Sequence, residues 1–407
     1  VIADTGSTDA TRDIATSFGA KVVDIVWNDD FAEARNRGMA FAKGDWLLHL
    51  DADEVVDPDS ATLIRTLVDE DGAGADAIEV TLANYCDEMR SHRWVPVSAN
   101  DPMARGNPGY IAVQLVRLFR NHCGIEYREA VHENLGESIR EKGLRIASAP
   151  VIIHHYGIAV RPKGISDKDY FYLRLNRKKV EQRPNDAKCW QDLGAQLIAV
   201  GQFEEGEKAC RKAIELNPDF LDAVVSLANV LLLRDALDEA EKTISAYIHR
   251  NAIQPNLATA LAVIYMRRGE LLEAYAIVRR VAEEYPRVPV LWLYMARVLD
   301  MLGKTQEARI ALETAAGIVP QSLEIRNRIT AHTLREKGIE LYRNDRIVDS
   351  LRVLVEALNN DREDPLIHNS LGCVLARMGE HARAAQSFER ALNLAPHYDD
   401  ALRNLKI

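Results

Sequence analysis

Long apolar runs are absent from this 407-residue chain. None reaches the roughly 18 residues that a membrane-crossing helix needs. Nor is there a basic segment followed by a short apolar core and a small-residue cleavage site, so no signal peptide is visible. Positive charge is in deficit: Lys and Arg total 51 against 61 Asp and Glu, a net of -10, which argues against a general nucleic-acid binder. Cysteine is sparse and unpatterned. Cys86, Cys123, Cys189, Cys210 and Cys373 are odd in number and lack metal-ligand pairing, which suits reduced thiols and a cytoplasmic setting. What remains is ordinary globular usage, 47% hydrophobic and 28% charged, with length for two domains or more.

The most informative segment is Lys43-Gly-Asp-Trp-Leu-Leu-His-Leu-Asp-Ala-Asp-Glu54. Trp46 to Leu50 is too apolar for a loop and too short for a helix, so it reads as an internal strand of an open α/β sheet. Ligands of such sheets bind at the carboxyl ends of strands. Asp51 and Asp53, spaced i, i+2 at that end, are hard oxygen ligands suited to Mg²⁺ or Mn²⁺ that also holds phosphate oxygens. The bland alternative is a solvated turn closing a strand. An EF-hand is excluded, since Val55 and Val56 stand where an oxygen ligand and the obligatory Gly belong.

Upstream, Val1 to Asp4 reads as a second strand, followed by the turn Thr5-Gly6-Ser7. Thr8 or Asp9 caps a helix that begins near Ala10 and stops at Gly19. Lys21 to Val26 is another short strand, and a helix starts at Phe31 with Ala32, Met39 and Ala42 on its buried side. This alternation predicts a parallel sheet with right-handed crossovers. Asp4-Thr-Gly-Ser also spells an aspartic-protease loop, but that chemistry needs two facing carboxylates and no second such loop occurs.

The order Asp4-x-Gly-Ser-Thr-Asp, Asp29-Asp-Phe-Ala-x-Ala-Arg35-Asn36, Gly44-Asp-Trp and Leu50-Asp-Ala-Asp-Glu resembles the nucleotide-sugar half of a family 2 glycosyltransferase with the GT-A fold. The likeness covers about residues 1 to 160. It implies that Asp4, with Ser7 in the turn after it, contacts the nucleotide base. It places Arg35 near base or phosphates with Asn36 beside it, and has Asp53 chiefly and Asp51 second holding metal and diphosphate. Family members usually open with a further strand and helix before the one at Val1, so the chain reads as N-terminally truncated.

Past this motif, Asp57-Pro-Asp-Ser caps a helix from about Ala61 to Asp69, and Ala77 to Ala83 and Val113 to Phe119 are strand-like. Tyr85 to Tyr110 is polar and long for a loop, which marks it as functional or mobile; in the family's fold that position faces the acceptor. The resemblance extends to the Val-His-Glu element at 131–133 and the His-Tyr-Gly element at 155–157. An inverting transfer needs a group to take the acceptor proton. Glu133 is the expected base, with Glu129 and His132 as alternatives. His155, or His154, is the expected third metal ligand, against the alternative of a satisfied surface pair at a strand end.

From residue 187 the chain repeats every 34 residues. Trp190 recurs as Trp292, Gly194 as Gly372, and Pro218 as Pro286, Pro320 and Pro396. This is the tetratricopeptide period, with six repeats in register and a slip of about eight residues between Pro320 and Ala331, where Gln321 to Thr330 would lengthen a helix or its connection. His397 onward reads as the start of a closing helix. The basic segment from Arg161 to Asn185 carries Tyr170, Phe171, Tyr172 and Leu175 at helical spacing, expected to pack the catalytic half onto the first repeat.

The expected layout is a catalytic domain over 1–160, a helical linker over 161–186 and a repeat domain over 187–407. The expected activity is inverting, metal-dependent transfer from a nucleotide sugar, uridine diphosphate being the family-level expectation. The acceptor would be recruited by the array, and a resemblance to bacterial peptide-modifying glycosyltransferases with similar arrays favours a peptide or protein over a saccharide or lipid-linked glycan. The competing reading is an inactive repeat scaffold for protein–protein contacts.

Overall fold

The computed structural model describes residues 1–407 apart from 88, 90, 92, 132, 158–163, 406 and 407. The chain opens on β1 (Ile2–Asp4), α1 (Thr11–Ser17), β2 (Val22–Asp24), α2 (Phe31–Met39) and β3 (Trp46–Leu48). β1 and β2 lie parallel, with Ile2 opposite Val22 and Asp4 opposite Asp24. Short acidic side chains set the helix starts. Asp9 Oδ1 accepts the Thr11 N–H at 3.0 Å and Asp30 Oδ1 accepts the Glu33 N–H at 2.8 Å, each satisfying an amide that a helix leaves open.

There follow β4 (Glu54–Val56), α3 (Pro58–Asp69), β5 (Ala77–Tyr85), β6 (Trp94–Pro96), β7 (Gly109–Arg120), α4 (Gly136–Glu141) and β8 (Ile146–His155). The main sheet runs β3-β7-β5-β8-β4. It is mixed: β5 and β8 are parallel, while β3 pairs antiparallel with β7 and β4 antiparallel with β8. The expectation of an internal parallel strand at Trp46 is therefore corrected, because β3 ends this sheet. Its apolar run fits a strand buried on both faces, yet nothing within three residues names the partner, and Leu48 stays 36% exposed.

The period of two along the strands divides the core. Ile78, Leu118, Val151 and Ile153 face one side, where Leu63, Ile64 and Leu67 of α3 cover them. Their neighbours Ala77 and Phe119 face the other, against Ala32 of α2, Tyr127 and Ile139 of α4. Each large side chain removed from water contributes about 1.5–3 kcal/mol.

Two compact units divide the chain: Val1–Cys86 with Ile111–Val230, and Asp87–Tyr110 with Leu231–Ile407. The first continues past β8 into α5 (Asp167–Gln182), α6 (Ala187–Ala199) and α7 (Phe203–Leu216). The aromatic stripe of α5 is packing, as its spacing predicts: Phe171 lies 6.2 Å from Trp27, and Tyr172 stacks 6.2 Å from Phe31. Its other face puts Leu173 and Val180 among Cys189, Leu193 and Leu197.

Helices then follow in pairs: α8 (Leu221–Leu233) and α9 (Leu237–Ile248), α10 (Pro255–Arg268) and α11 (Leu271–Glu284), α12 (Pro289–Met301) and α13 (Thr305–Ile318), α14 (Leu323–Arg343) and α15 (Ile347–Asn360), α16 (Pro365–Arg377) and α17 (His381–Leu394), with α18 (Asp399–Asn404) last. Pro255, Pro289 and Pro365 stand in the first turn, where proline's missing N–H is no loss. The register slip lengthens a helix: α14 has 21 residues where α12 has 13. Within the second unit α14 is pinned by Arg335, 1% exposed, which donates to Asp300 at 2.7 Å and Asp364 at 3.1 Å. Among the described residues no helix is long and apolar enough to cross a membrane.

Candidate active site

The turn from β3 to β4 is closed from both ends. Glu54 N–H donates to the Asp51 carbonyl at 3.1 Å, and Glu54 Oε2 accepts the Asp51 N–H at 2.9 Å. Beneath it, Arg117 of β7 donates to Glu54 Oε1 at 2.6 Å and reaches Asp51 Oδ2 at 3.4 Å. Burial raises the Glu54 carboxyl's pKa, with Arg117 opposing.

Arg35, one turn into α2, spans two candidates. Its Nη1 and Nη2 donate to the two oxygens of Asp51 at 2.7 and 3.3 Å, and its Nε donates to Glu133 Oε1 at 2.6 Å. Its guanidinium also lies 5.4 Å from the centre of the Tyr127 ring. Asn36 is engaged elsewhere: its amide donates to the Tyr127 carbonyl at 2.9 Å and accepts the Tyr127 N–H at 2.8 Å. It thus fixes the backbone of the segment that carries Glu133.

His49 was not legible as a site residue, yet it lies at the centre. Its Nδ1 meets the Tyr127 hydroxyl at 2.9 Å and its Nε2 meets Asp51 Oδ1 at 3.3 Å, beside the Arg35 guanidinium. Burial, then the charges of Arg35 and Arg117, lowers its pKa to about 3, so the imidazole is neutral near pH 7. For Asp51, burial pushes upward but Arg35 and Arg117 prevail and hold the carboxyl at about 2. Burial raises the Tyr127 phenol to about 12.

Asp53 points another way. Its carboxylate is half exposed and its Oδ2 lies 3.3 Å from His155 Nε2 at the end of β8. The far ring nitrogen, Nδ1, pairs with Asn84 Oδ1 at 2.6 Å, which fixes the ring with Nε2 toward Asp53. Gly157 keeps the space open. A Cβ there would lie 2.2 Å from Asp53 Oδ2 and 2.7 Å from His155 Nε2. The Asp53 and His155 donor set fits a hard divalent cation of the Mg²⁺ or Mn²⁺ class, while Asp51 is drawn to the arginines; among the described residues no group of three or more such ligands converges. His154 is buried between the Tyr85 hydroxyl at 3.0 Å and Asp57 at 3.3 Å, the satisfied histidine of the pair.

Asp4 and Ser7 form a separate cluster. Ser7 Oγ donates to Asp4 Oδ1 at 2.5 Å and Arg12 donates to Oδ2 at 2.8 Å. The Ser7 hydroxyl, aided by Arg12, holds Asp4 below the usual carboxylate range. Glu129, with φ of 75°, is clamped by Lys179 of α5 at 2.5 Å and by Arg183, just past the end of α5, at 3.1 Å. It anchors that helix. His132 lies outside the described residues.

An acidic turn at a strand end, an arginine that spans Asp51 and Glu133, and a helical repeat array further along the chain are thus in place. Residues 1–118 match the family model of glycosyl transferase family 2. Residues 170–318 match the cilia and flagella-associated protein 70 middle TPR-like domain, and residues 365–398 match a tetratricopeptide repeat. The chain thus joins a family 2 glycosyltransferase region to tetratricopeptide repeats. It is similar to a TPR repeat-containing protein of Synechococcus elongatus, 27% identical over 70% of this chain and 69% of that one. The prophage-derived glycosyltransferase SunS of Bacillus subtilis is 22% identical over 58% of this chain and 53% of its own length. Among solved structures, the APC/C hetero-tetramer Cut9–Hcn1 aligns at 19% identity over 59% of this chain and 45% of that one, with a TM-score of 0.42.

Proposed function

We propose that this chain moves a sugar from a nucleoside-diphosphate sugar to an acceptor with inversion, using a divalent cation held by Asp53 and His155, with Asp51 second. The observation that carries this reading is the Asp53–His155 pair under Gly157, next to a carboxylate, Asp51, already bound to Arg35 and Arg117. Bound Mn²⁺ or Mg²⁺ supplies charge neutralisation to the departing diphosphate. The rest is work for side chains. Arg35 and Arg117 are fixed cations beside the turn, positioned to stabilise phosphate charge without reorganising. Asp4 and Ser7 face the nucleotide base.

An acceptor hydroxyl attacks the anomeric carbon as its bond to the diphosphate breaks, and Glu133 takes the hydroxyl proton. The ion pair with Arg35 Nε at 2.6 Å holds the Glu133 carboxylate in place. Residues 1–160 carry this chemistry, 161–186 link, and the repeats over 187–407 recruit a peptide or protein acceptor. A uridine diphosphate sugar is the first donor to try.

The test is Asp53→Ala. The variant is expected to fold as the parent does, since the side chain is half exposed, and to lose metal-stimulated donor binding in a thermal-shift assay. Unchanged stabilisation by nucleotide sugar plus Mn²⁺ would sink the assignment. Donor binding without any sugar transfer, by the parent chain, would instead favour the scaffold reading.

A further inference from the structure

The sequence has two irregularities that the proposed chemistry does not use: the long polar loop between β5 and β7, and the register slip that begins at Gln321. They meet within the second compact unit. Gln321, in the turn between α13 and α14, donates its Nε2 to the Val97 carbonyl at 2.7 Å and to the Pro108 carbonyl at 3.3 Å. Those two carbonyls belong to opposite limbs of the loop, and Val97 N–H itself donates to the Pro108 carbonyl at 3.2 Å. One amide group therefore ties both limbs where they come together. The slip is what sets the turn: Pro320 ends one repeat, and Ser322 caps the lengthened α14 by accepting the Ile325 N–H at 3.3 Å.

From residue 93 onward the loop has contacts of its own. Trp94, 4% exposed, lies against Gly109 at the start of β7, Asp101 Oδ1 accepts the Met103 N–H at 2.8 Å, and the Ala104 N–H donates to the Asp101 carbonyl at 3.1 Å. β6 ties one limb of the loop to β7, and Gln321 ties both limbs to the turn before α14. We propose that Gln321 is a positioning residue through which the repeat array holds the loop between β5 and β7, and that this loop takes part in binding a protein acceptor. The functional half of this statement rests on the glycosyltransferase reading above; the mechanical half does not.

The test uses the full chain with Gln321→Ala and with Gln321→Glu, which keeps the shape but offers carboxylate oxygens to two carbonyls. Amide hydrogen exchange over residues 94–109 is expected to quicken by roughly tenfold in both, with exchange elsewhere unchanged, as for a locally opened segment. KM for a protein acceptor is expected to rise by roughly tenfold, while kcat and donor hydrolysis hold. Unchanged exchange overturns the proposal. So does quickened exchange with an unchanged KM for protein acceptor. If the parent chain transfers no sugar at all, the proposed function fails, and the exchange result alone then decides whether Gln321 holds the loop.

Discussion

The ion pair beneath the acidic turn offers a quantitative test of the site's architecture. Glu54 is 1% exposed at its side chain and Arg117 is 9% exposed, and they meet at 2.6 Å. Arg117 Nε already lacks a hydrogen-bond partner among the described residues. Glu54→Leu would leave the guanidinium buried without its closest carboxylate, and would remove the acceptor for the Asp51 N–H. Breaking such a pair from one side costs about 3–5 kcal/mol, with about 1 kcal/mol for the lost turn hydrogen bond as part of it. Against a typical total of about 5–15 kcal/mol that is a large share. Replacing both partners, as Glu54→Leu with Arg117→Met, removes the stranded charge and is expected to recover most of the loss. Equilibrium urea unfolding measures this, with separate transitions fitted because two compact units need not unfold together. A loss below about 1 kcal/mol in the single variant, or a double variant no more stable than Glu54→Leu, would refute the view that this pair supports the turn.

Three further outcomes follow from the same geometry. Glu133→Gln keeps shape and hydrogen bonding but cannot accept a proton, so turnover is expected to fall by roughly 10²-fold or more with donor affinity retained, measured as kcat against Kd. Gly157→Ala puts a methyl group against Asp53 Oδ2 and His155 Nε2, and is expected to abolish stimulation by Mn²⁺ in a thermal-shift assay while leaving the metal-free melting curve within a few degrees. His49 titrates at about 3 when folded against an ordinary 6.5, so the unfolded chain binds the extra proton. Its contribution to stability is complete above pH 6.5 and is lost as the pH falls toward 3, and His49→Gln is expected to flatten that part of the acid limb in a pH series of melting curves.

The sequence told unequal amounts about different levels of the molecule. Local signals were legible because they are local. Asp9 and Asp57 announce helix starts, and each accepts a backbone N–H at its helix. The 34-residue period gave the helix pairs, and the slip after Pro320 gave the long α14. Strand partners were not legible. Trp46 to Leu48 pairs with β7, chosen by packing that a three-residue run cannot encode. The Asp-x-Asp spacing marks both carboxylates and the family resemblance ranks Asp53 first, but neither says that the fold sends Asp51 to Arg35 and Arg117 and Asp53 to His155. His49 and Arg117 were missed for a related reason. Each sits in an apolar strand or at its end, where a lone polar residue reads as an interruption until its partners, Tyr127 and Glu54, are brought beside it.

The central claim is that a divalent cation at Asp53 and His155 joins a nucleotide sugar to this chain. Its most direct measurement is the melting temperature of the chain with a panel of nucleotide sugars, each with and without Mn²⁺, for the parent and for Asp53→Ala. At least one nucleotide sugar is expected to raise the melting temperature of the parent only when Mn²⁺ is present, by several degrees at saturating ligand, and Asp53→Ala is expected to show no such rise. Equal stabilisation with and without Mn²⁺, or a rise that survives in Asp53→Ala, would contradict it.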